Sequence, residues 1–319
     1  MELLRGRSKY ALFGLVVVIW GLNYLFVKEG LTLSAPLWLA SLRAGIGFLA
    51  LAGLLAFRAT RESLDRRGVR DALLIGVPAT GLFFGLWFVA AVSVEPGVAA
   101  VVIYTFPLWV ALLSAPVLGQ PLRGGEWAAI AGGFGGVVLL TQPWEGASGV
   151  PIPALLALLG GAVSWAVGTV LFQRRFRPRE YTAATIYQML GGTLALLFLA
   201  LVFEPGELPS FTPALMGIVL WLGILGTAVA YLIWYDWLAR TRASTLSAYV
   251  FLVPIVALVA SAVVYGERLA PVQWAGVVAV LVCLYLLGSR RAPLRTPPST
   301  PVSAGPGFAN GAPISQRRG

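Results

Sequence analysis

The sequence offers few residues to chemistry, and most of them are lodged in apolar surroundings. There is no histidine among its 319 residues, which removes the commonest general base and transition-metal ligand. Its one cysteine, Cys283, lies in an apolar run, so a disulfide framework or a cysteine-rich metal site is excluded. What remains is a set of polar and aromatic residues inside long hydrophobic stretches: Trp20, Asn23, Arg43, Trp87, Tyr104, Trp165, Thr169, Gln188, Tyr231, Tyr235 and Tyr249. A charge or an unpaired amide in hydrocarbon is costly, so each must meet another helix, a water-filled cavity or a ligand. Arg43 is the most expensive of them. It either holds a substrate carboxylate or caps carbonyls of a neighbouring helix. Trp20 and Trp165 sit far from the interfaces where tryptophan normally anchors, and aromatic side chains suit a flat apolar substrate. Paired carboxylates, a nucleophile with its base, and metal ligands do not occur together in these stretches. They are therefore read as binding residues of a non-enzyme, with no cofactor and no metal. Asp236 in WYDW is expected at a membrane boundary, paired with Arg240. A carboxylate proton relay lacks support, because no Asp or Glu falls mid-membrane.

The elements that must position these residues are transmembrane helices. The chain is 58% hydrophobic and 11% charged, far from the roughly one quarter charged residues of soluble domains. Crossing a hydrocarbon core takes about 20 apolar residues. Ten stretches qualify, over about 9–28, 35–57, 71–92, 97–117, 125–142, 151–172, 181–203, 213–238, 244–265 and 271–288. The net charge of +10 is carried by short clusters between them, which argues for topology and against nucleic acid. Arg5, Arg7, Lys9, Arg58, Arg61, Arg66, Arg67, Arg70, Arg123, Arg174, Arg175, Arg177, Arg179, Arg240 and Arg242 fall on one side. Glu29, Glu95, Glu145, Glu204, Glu207 and Glu267 fall on the other. Both termini are thus expected in the cytoplasm. Residues 289–319, rich in Pro, Ser and Gly, are expected to be a disordered cytoplasmic tail.

The stretch from Gly76 to Leu140 echoes that from Gly223 to Leu287 at an offset of 147 residues, pairing Thr80 with Thr227, Trp87 with Trp234, Pro107 with Pro254 and Trp127 with Trp274. Nearer the start the offset is 145, pairing Trp20 with Trp165 and Gly47 with Gly192. Two five-helix repeats, 1–145 and 146–288, follow. Because five is odd, they enter the membrane from opposite sides, an architecture of carriers that work by alternating access around a central site. Pro107 and Pro254, each about ten residues into its helix, deprive a carbonyl of its partner and are the expected hinges. The glycine pairs at 132–136, 160–161 and 191–192 read as close helix packing.

IWGLNYLFVKEGL, PLWLASLRAG, YTFPLW and YGERLAPVQWAGVVAVL together resemble the ten-helix EamA-type members of the drug/metabolite transporter superfamily. The resemblance covers residues 9–288. It is strongest to the bacterial aromatic amino acid exporters. It implies a multi-pass inner-membrane carrier, here expected as a monomer, that exports an amino acid from the cytoplasm. It also implies a pathway on helices one, three, four, six, eight and nine, which carry Trp20, Trp87, Tyr104, Trp165, Tyr231 and Tyr249. The four-helix multidrug members of the superfamily use a Glu in their first helix, whereas this chain has none before Glu29. The alternatives are a carrier for another metabolite, such as a nucleotide sugar or drug-like amine, or a channel. A phosphorylated substrate calls for clustered cations, and Arg43 is the only deep one.

Overall fold

The computed structural model describes residues 8–56, 64–142, 144–145, 150–238, 250 and 252–290. Tyr249, Arg240, Arg242, the start of the expected ninth span and the tail beyond 290 lie outside the described residues. Those described form helices and no strand. Joining segments that continue without a loop gives ten rods. They are α1 (Ser8–Leu31), α2 (Pro36–Ala56), α3 (Arg66–Ala91), α4 (Pro96–Leu118), α5 (Gly124–Thr141), α6 (Ile152–Arg175), α7 (Tyr181–Phe203), α8 (Pro213–Leu220, Trp221–Val229 and Ala230–Leu238), α9 (Leu252–Tyr265) and α10 (Pro271–Arg290). Seven, α1–α4 and α6–α8, are long and apolar enough to cross a membrane. α9 and α10 are shorter apolar helices. Large apolar side chains face outward along them, among them Leu49, Leu156, Phe198 and Val263, as lipid-facing surfaces require. Trp127 and Trp274, matched by the 147-residue offset, are both half-exposed, at 55% and 50%.

Glycine sets how closely the rods approach. A Cβ on Gly191 would stand 2.1 Å from the Leu73 carbonyl oxygen, and one on Gly76 would stand 2.1 Å from that of Gln188. Backbone thus lies against backbone where α3 meets α7. α2 and α8 meet in the corresponding way: a Cβ on Gly47 would strike Thr227 Cγ2 at 2.7 Å, and one on Gly223 would strike Ile46 Cγ2 at 2.6 Å. α5 and α10 cross through Gly136 and Gly276, each closed against the other's carbonyl. Such small-residue contacts are the main packing device where lipid offers helices no hydrophobic drive to associate. Further pairs are α1 with α9, α4 with α6, α2 with α7 and α4 with α9.

Two rods carry π-helical turns, at Val77–Leu82 in α3 and Trp221–Val229 in α8. The wider turn releases carbonyls from the regular ladder, and side chains from neighbouring rods collect them. Ser164 Oγ donates to the Pro78 oxygen at 2.8 Å, and Trp20 Nε1 to the Gly226 oxygen at 3.1 Å.

α4 departs from the expected kink at Pro107. Its helix stops at Ile103, passes through Tyr104 and Thr105, and restarts at Phe106. Pro107 is the second residue of the restarted segment, where a missing N–H costs no hydrogen bond. The hydroxyl of Thr105 donates back to the Val102 oxygen at 2.7 Å. The proline therefore marks an interruption that lies just ahead of it. Pro254 is the third residue of α9 and stands in a like position.

Acidic side chains close one end of the bundle. Glu204 accepts from the backbone N–H groups of Leu37 (2.9 Å) and Trp38 (3.0 Å) at the start of α2, and Glu267 from Gly97 (3.0 Å) and Val98 (3.2 Å) at the start of α4. Each carboxylate meets the positive end of a helix dipole. Lys28 pairs with Glu95, and the Tyr265 hydroxyl donates to Glu29 Oε1 at 2.7 Å. At the other end Arg175 pairs with Asp71.

The glycine contacts predict a contrast between two equally conservative changes. Gly191→Ala should destabilise the purified protein by about 2 kcal/mol or more, since the methyl must displace backbone. Gly135→Ala, whose Cβ would meet open space, should stay within about 0.5 kcal/mol. Thermal unfolding in detergent compares the two, and equal melting temperatures would refute the packing account.

Candidate functional site

A cavity lies where rods from the two ends of the sequence cross. Its walls are Trp20, Asn23 and Tyr24 of α1, Arg43 of α2, Phe83, Phe84 and Trp87 of α3, Ile103, Tyr104 and Phe106 of α4, Trp165 of α6 and Tyr231 of α8. None of the twelve is more than 9% exposed, so the space lies deep in the bundle. The cavity is small, about 30 Å³. That is room for one or two waters.

Aromatic rings enclose the space. Tyr24 lies against Trp87 (4.5 Å between centroids), Phe83 against Trp165 (4.8 Å), and Trp165 edge-on to Tyr231 (5.4 Å). Arg43 enters from α2, with its guanidinium 4.2 Å from the Phe84 ring centre and 5.1 Å from that of Trp87. Its Nε donates to Thr227 Oγ1 at 3.2 Å and its Nη2 to the Gly226 oxygen at 3.4 Å. Arg43 thus caps a carbonyl that the π-turn of α8 sets free. Its Nη1 is buried with no hydrogen-bond partner, as are Asn23 Oδ1, Trp87 Nε1 and Trp165 Nε1. No acidic residue is among the walls. The Tyr231 hydroxyl is unmatched too, so the chamber holds five unmatched polar atoms inside an aromatic box: donors on Arg43, Trp87 and Trp165, an acceptor on Asn23, and a hydroxyl that can do either. An unmatched buried polar atom costs about 1–3 kcal/mol, and here five share one small volume.

Seven of the residues singled out from the sequence line this cavity: Trp20, Asn23, Arg43, Trp87, Tyr104, Trp165 and Tyr231. Thr169 is buried one turn beyond Trp165 and does not line it. Gln188 and Tyr235 form a separate contact: the Tyr235 hydroxyl donates to Gln188 Oε1 at 2.6 Å, and the Tyr235 ring lies 4.4 Å from that of Phe172. Asp236 is half-buried at the end of α8, and its expected partner Arg240 is outside the described residues. Sequence reasoning passed over Tyr24, Phe83, Phe84, Ile103 and Phe106. Phe84 was within its reach, since the 147-residue offset matches it with Tyr231.

The 145-residue offset likewise matches Arg43 with Gln188. Gln188 Nε2 reaches Thr80 Oγ1 at 3.5 Å, as Arg43 reaches Thr227. Arg43→Gln should therefore leave a folded protein. The expected loss of stability is about 1–2 kcal/mol, from the cation–π contacts. A monodisperse peak on size-exclusion chromatography with a modestly lowered melting temperature is the expected result, and wholesale aggregation would contradict it.

Known proteins share this sequence pattern. A model of the EamA-like transporter family matches residues 8–142 and again 152–289. The chain is 30% identical over 294 residues to the uncharacterized inner membrane transporter YedA of Escherichia coli K12, covering 89% of this chain and 94% of that one. It is 29% identical over 286 residues to a probable amino-acid metabolite efflux pump of Salmonella typhimurium, covering 85% and 92%. A solved crystal structure superposes with a TM-score of 0.65 at 20% identity, covering 89% of this chain and 97% of that one, a likeness of fold. With both halves matched and whole-length relatives that are transporters, the chain belongs to the EamA-like transporter family of the drug/metabolite transporter superfamily, as a multi-pass inner-membrane transporter and not an enzyme.

Proposed function

We propose that this protein exports aromatic and other neutral amino acids from the cytoplasm by alternating access through the aromatic cavity. The observation that carries the reading is Arg43: a buried cation with a free Nη1, among rings, with no acidic residue in the walls. A carboxylate would satisfy it, and the rings suit an apolar side chain. One cation is too few for a nucleotide sugar, and an amine without a carboxylate would find no acidic partner among these walls. The name of the Salmonella relative, an amino-acid metabolite efflux pump, points the same way.

All ten rods cross the membrane in this reading, as two inverted repeats at 1–145 and 146–288 with both termini cytoplasmic. Support comes from the family model that fits twice and from the packing. Exchanging the halves turns the α3–α7 contact into α8–α2 and the α4–α6 contact into α9–α1, and all four are present. The π-turns also correspond, as do the left-handed glycines Gly119 (φ 63°) and Gly266 (φ 67°) that end α4 and α9. Glu29, Glu95 and Glu267 gather at one end, consistent with an outer face poor in cations. Pro107 and Pro254 mark the hinges, Trp20, Asn23, Arg43, Trp87, Tyr104, Trp165 and Tyr231 form the binding surface, and a monomer suffices. Thr169, Gln188 and Tyr235 stand outside that surface in the reading.

Reconstitution of the purified protein in liposomes tests this directly. Saturable flux of labelled phenylalanine or tryptophan is expected, with little or none for a nucleotide sugar or a cationic dye. Absence of saturable amino acid flux would remove the substrate claim. Pro107→Ala and Pro254→Ala should each slow that flux several-fold while leaving the protein folded. Unchanged flux in both would remove the hinges.

A further inference from the structure

Asn23 and Arg43 meet at one point of the cavity wall. Gly226 carries no side chain, and a Cβ there would lie 2.6 Å from both Oδ1 and Nδ2 of Asn23. The carbonyl oxygen of the same glycine accepts Arg43 Nη2 at 3.4 Å. An amide from α1 and a guanidinium from α2 thus both come up against Gly226 in the π-turn of α8. Asn23 is 1% exposed and Arg43 2%. Each has one atom without a partner, an acceptor (Oδ1) on Asn23 and a donor (Nη1) on Arg43. Burying a hydrogen-bonding atom unmatched is unfavourable, and two of opposite sense on adjacent groups describe the outline of what would match them. That outline has an anionic acceptor for Nη1 and a donor group for Oδ1, a short distance apart. An α-amino acid presents this pair as its carboxylate and ammonium.

We infer that Asn23 and Arg43 form a head-group subsite for a zwitterionic α-amino acid, Arg43 Nη1 taking the carboxylate and Asn23 Oδ1 the ammonium, with Gly226 kept small so that the amide can lie against it. The inference rests on the proposal that the cavity carries amino acids, and it divides recognition between two named atoms. Rings of Trp87 and Trp165 then take the side chain, so side-chain tolerance is broad and head-group selection narrow. Asn23 selects for the amino group even though no acidic residue lines the cavity, because a neutral amide oxygen accepts from an ammonium without presenting a second charge to bury.

The test measures competition against labelled phenylalanine flux in proteoliposomes by phenylalanine, by 3-phenylpropionate, which lacks the amino group, and by phenethylamine, which lacks the carboxylate. In the unaltered protein each truncated ligand should compete about tenfold or more weakly than phenylalanine, as expected for loss of a hydrogen bond to a charged group. In Asn23→Leu, phenylalanine and 3-phenylpropionate should become equal within about threefold. In Arg43→Gln, phenylalanine and phenethylamine should become equal in the same sense. Ratios within one variant are independent of expression level. Asn23→Ala serves should the leucine not fit, and Gly226→Ala should reproduce the Asn23 pattern. Phenylalanine flux with ratios unchanged in the variants overturns the head-group subsite and leaves the export proposal standing. Absence of phenylalanine flux in the unaltered protein overturns both.

Discussion

A buried guanidinium with no carboxylate beside it is the constraint around which this bundle is arranged. Placing arginine in the middle of a membrane helix costs about 3 kcal/mol on insertion scales, and Arg43 recovers part of that from three sources. The π-turn of α8 offers the Gly226 carbonyl, which Arg43 shares with Trp20 Nε1, Thr227 offers a hydroxyl, and the Phe84 and Trp87 rings offer their electron-rich faces. Each source imposes something on the fold. The carbonyl requires the π-turn, the hydroxyl requires α2 and α8 to approach at Gly47, and the rings bring α3 against α2. Compensation stops one atom short, at Nη1. A group that supplied the missing acceptor would recover free energy the protein leaves unrecovered.

The corresponding place in the other half shows what the charge adds. Gln188 stands where Arg43 does, Thr80 where Thr227 does, and Gly192 where Gly47 does. There the amide of Gln188 reaches Thr80 and receives the Tyr235 hydroxyl, so both ends of its side chain are engaged. The packing is duplicated while the chemistry is not. One junction is closed by a neutral, satisfied network and the other is left open by a charged, unsatisfied one.

Much of this was legible in the sequence because lipid imposes long-period rules. Span length and the run of Arg and Glu residues placed nine of the ten rods to within about six residues at either end; the start of the ninth expected span lies outside the described residues. The cost of burying charge singled out Arg43 before any neighbour was known. The interruption of α4 was not legible. A mid-segment proline looks like a kink, and only the observed restart at Phe106 shows it in a position that needs no N–H. The π-turns left no readable signal either, since Thr227 and Gly226 look like ordinary small residues until their carbonyl and hydroxyl partners are seen. Gln188 and Tyr235 were grouped with the cavity on polarity alone, and rod geometry turns them toward each other.

Where the bundle can move follows from how its contacts are made. α3 against α7, and α5 against α10, touch backbone to backbone through glycine. A shift of an ångström there separates atoms already at closest approach or drives them into overlap, so these pairs behave as rigid units. Contacts at the acidic end are different in kind. The Lys28–Glu95 pair is partly solvent-exposed, and exposed ion pairs add little net stability. The Glu267 bonds to Gly97 and Val98 can be exchanged for bonds to water when the start of α4 swings away. α4 itself is interrupted at Tyr104 and Thr105, beside the cavity, so its first segment can tilt without unwinding the second. All eight residues of that first segment, Pro96–Ile103, are buried, so any tilt of it must carry its packing neighbours with it. Ile103 at the end of that segment and Tyr104 in the break both stand in the cavity wall, so a change of angle at the break alters the shape of the chamber directly.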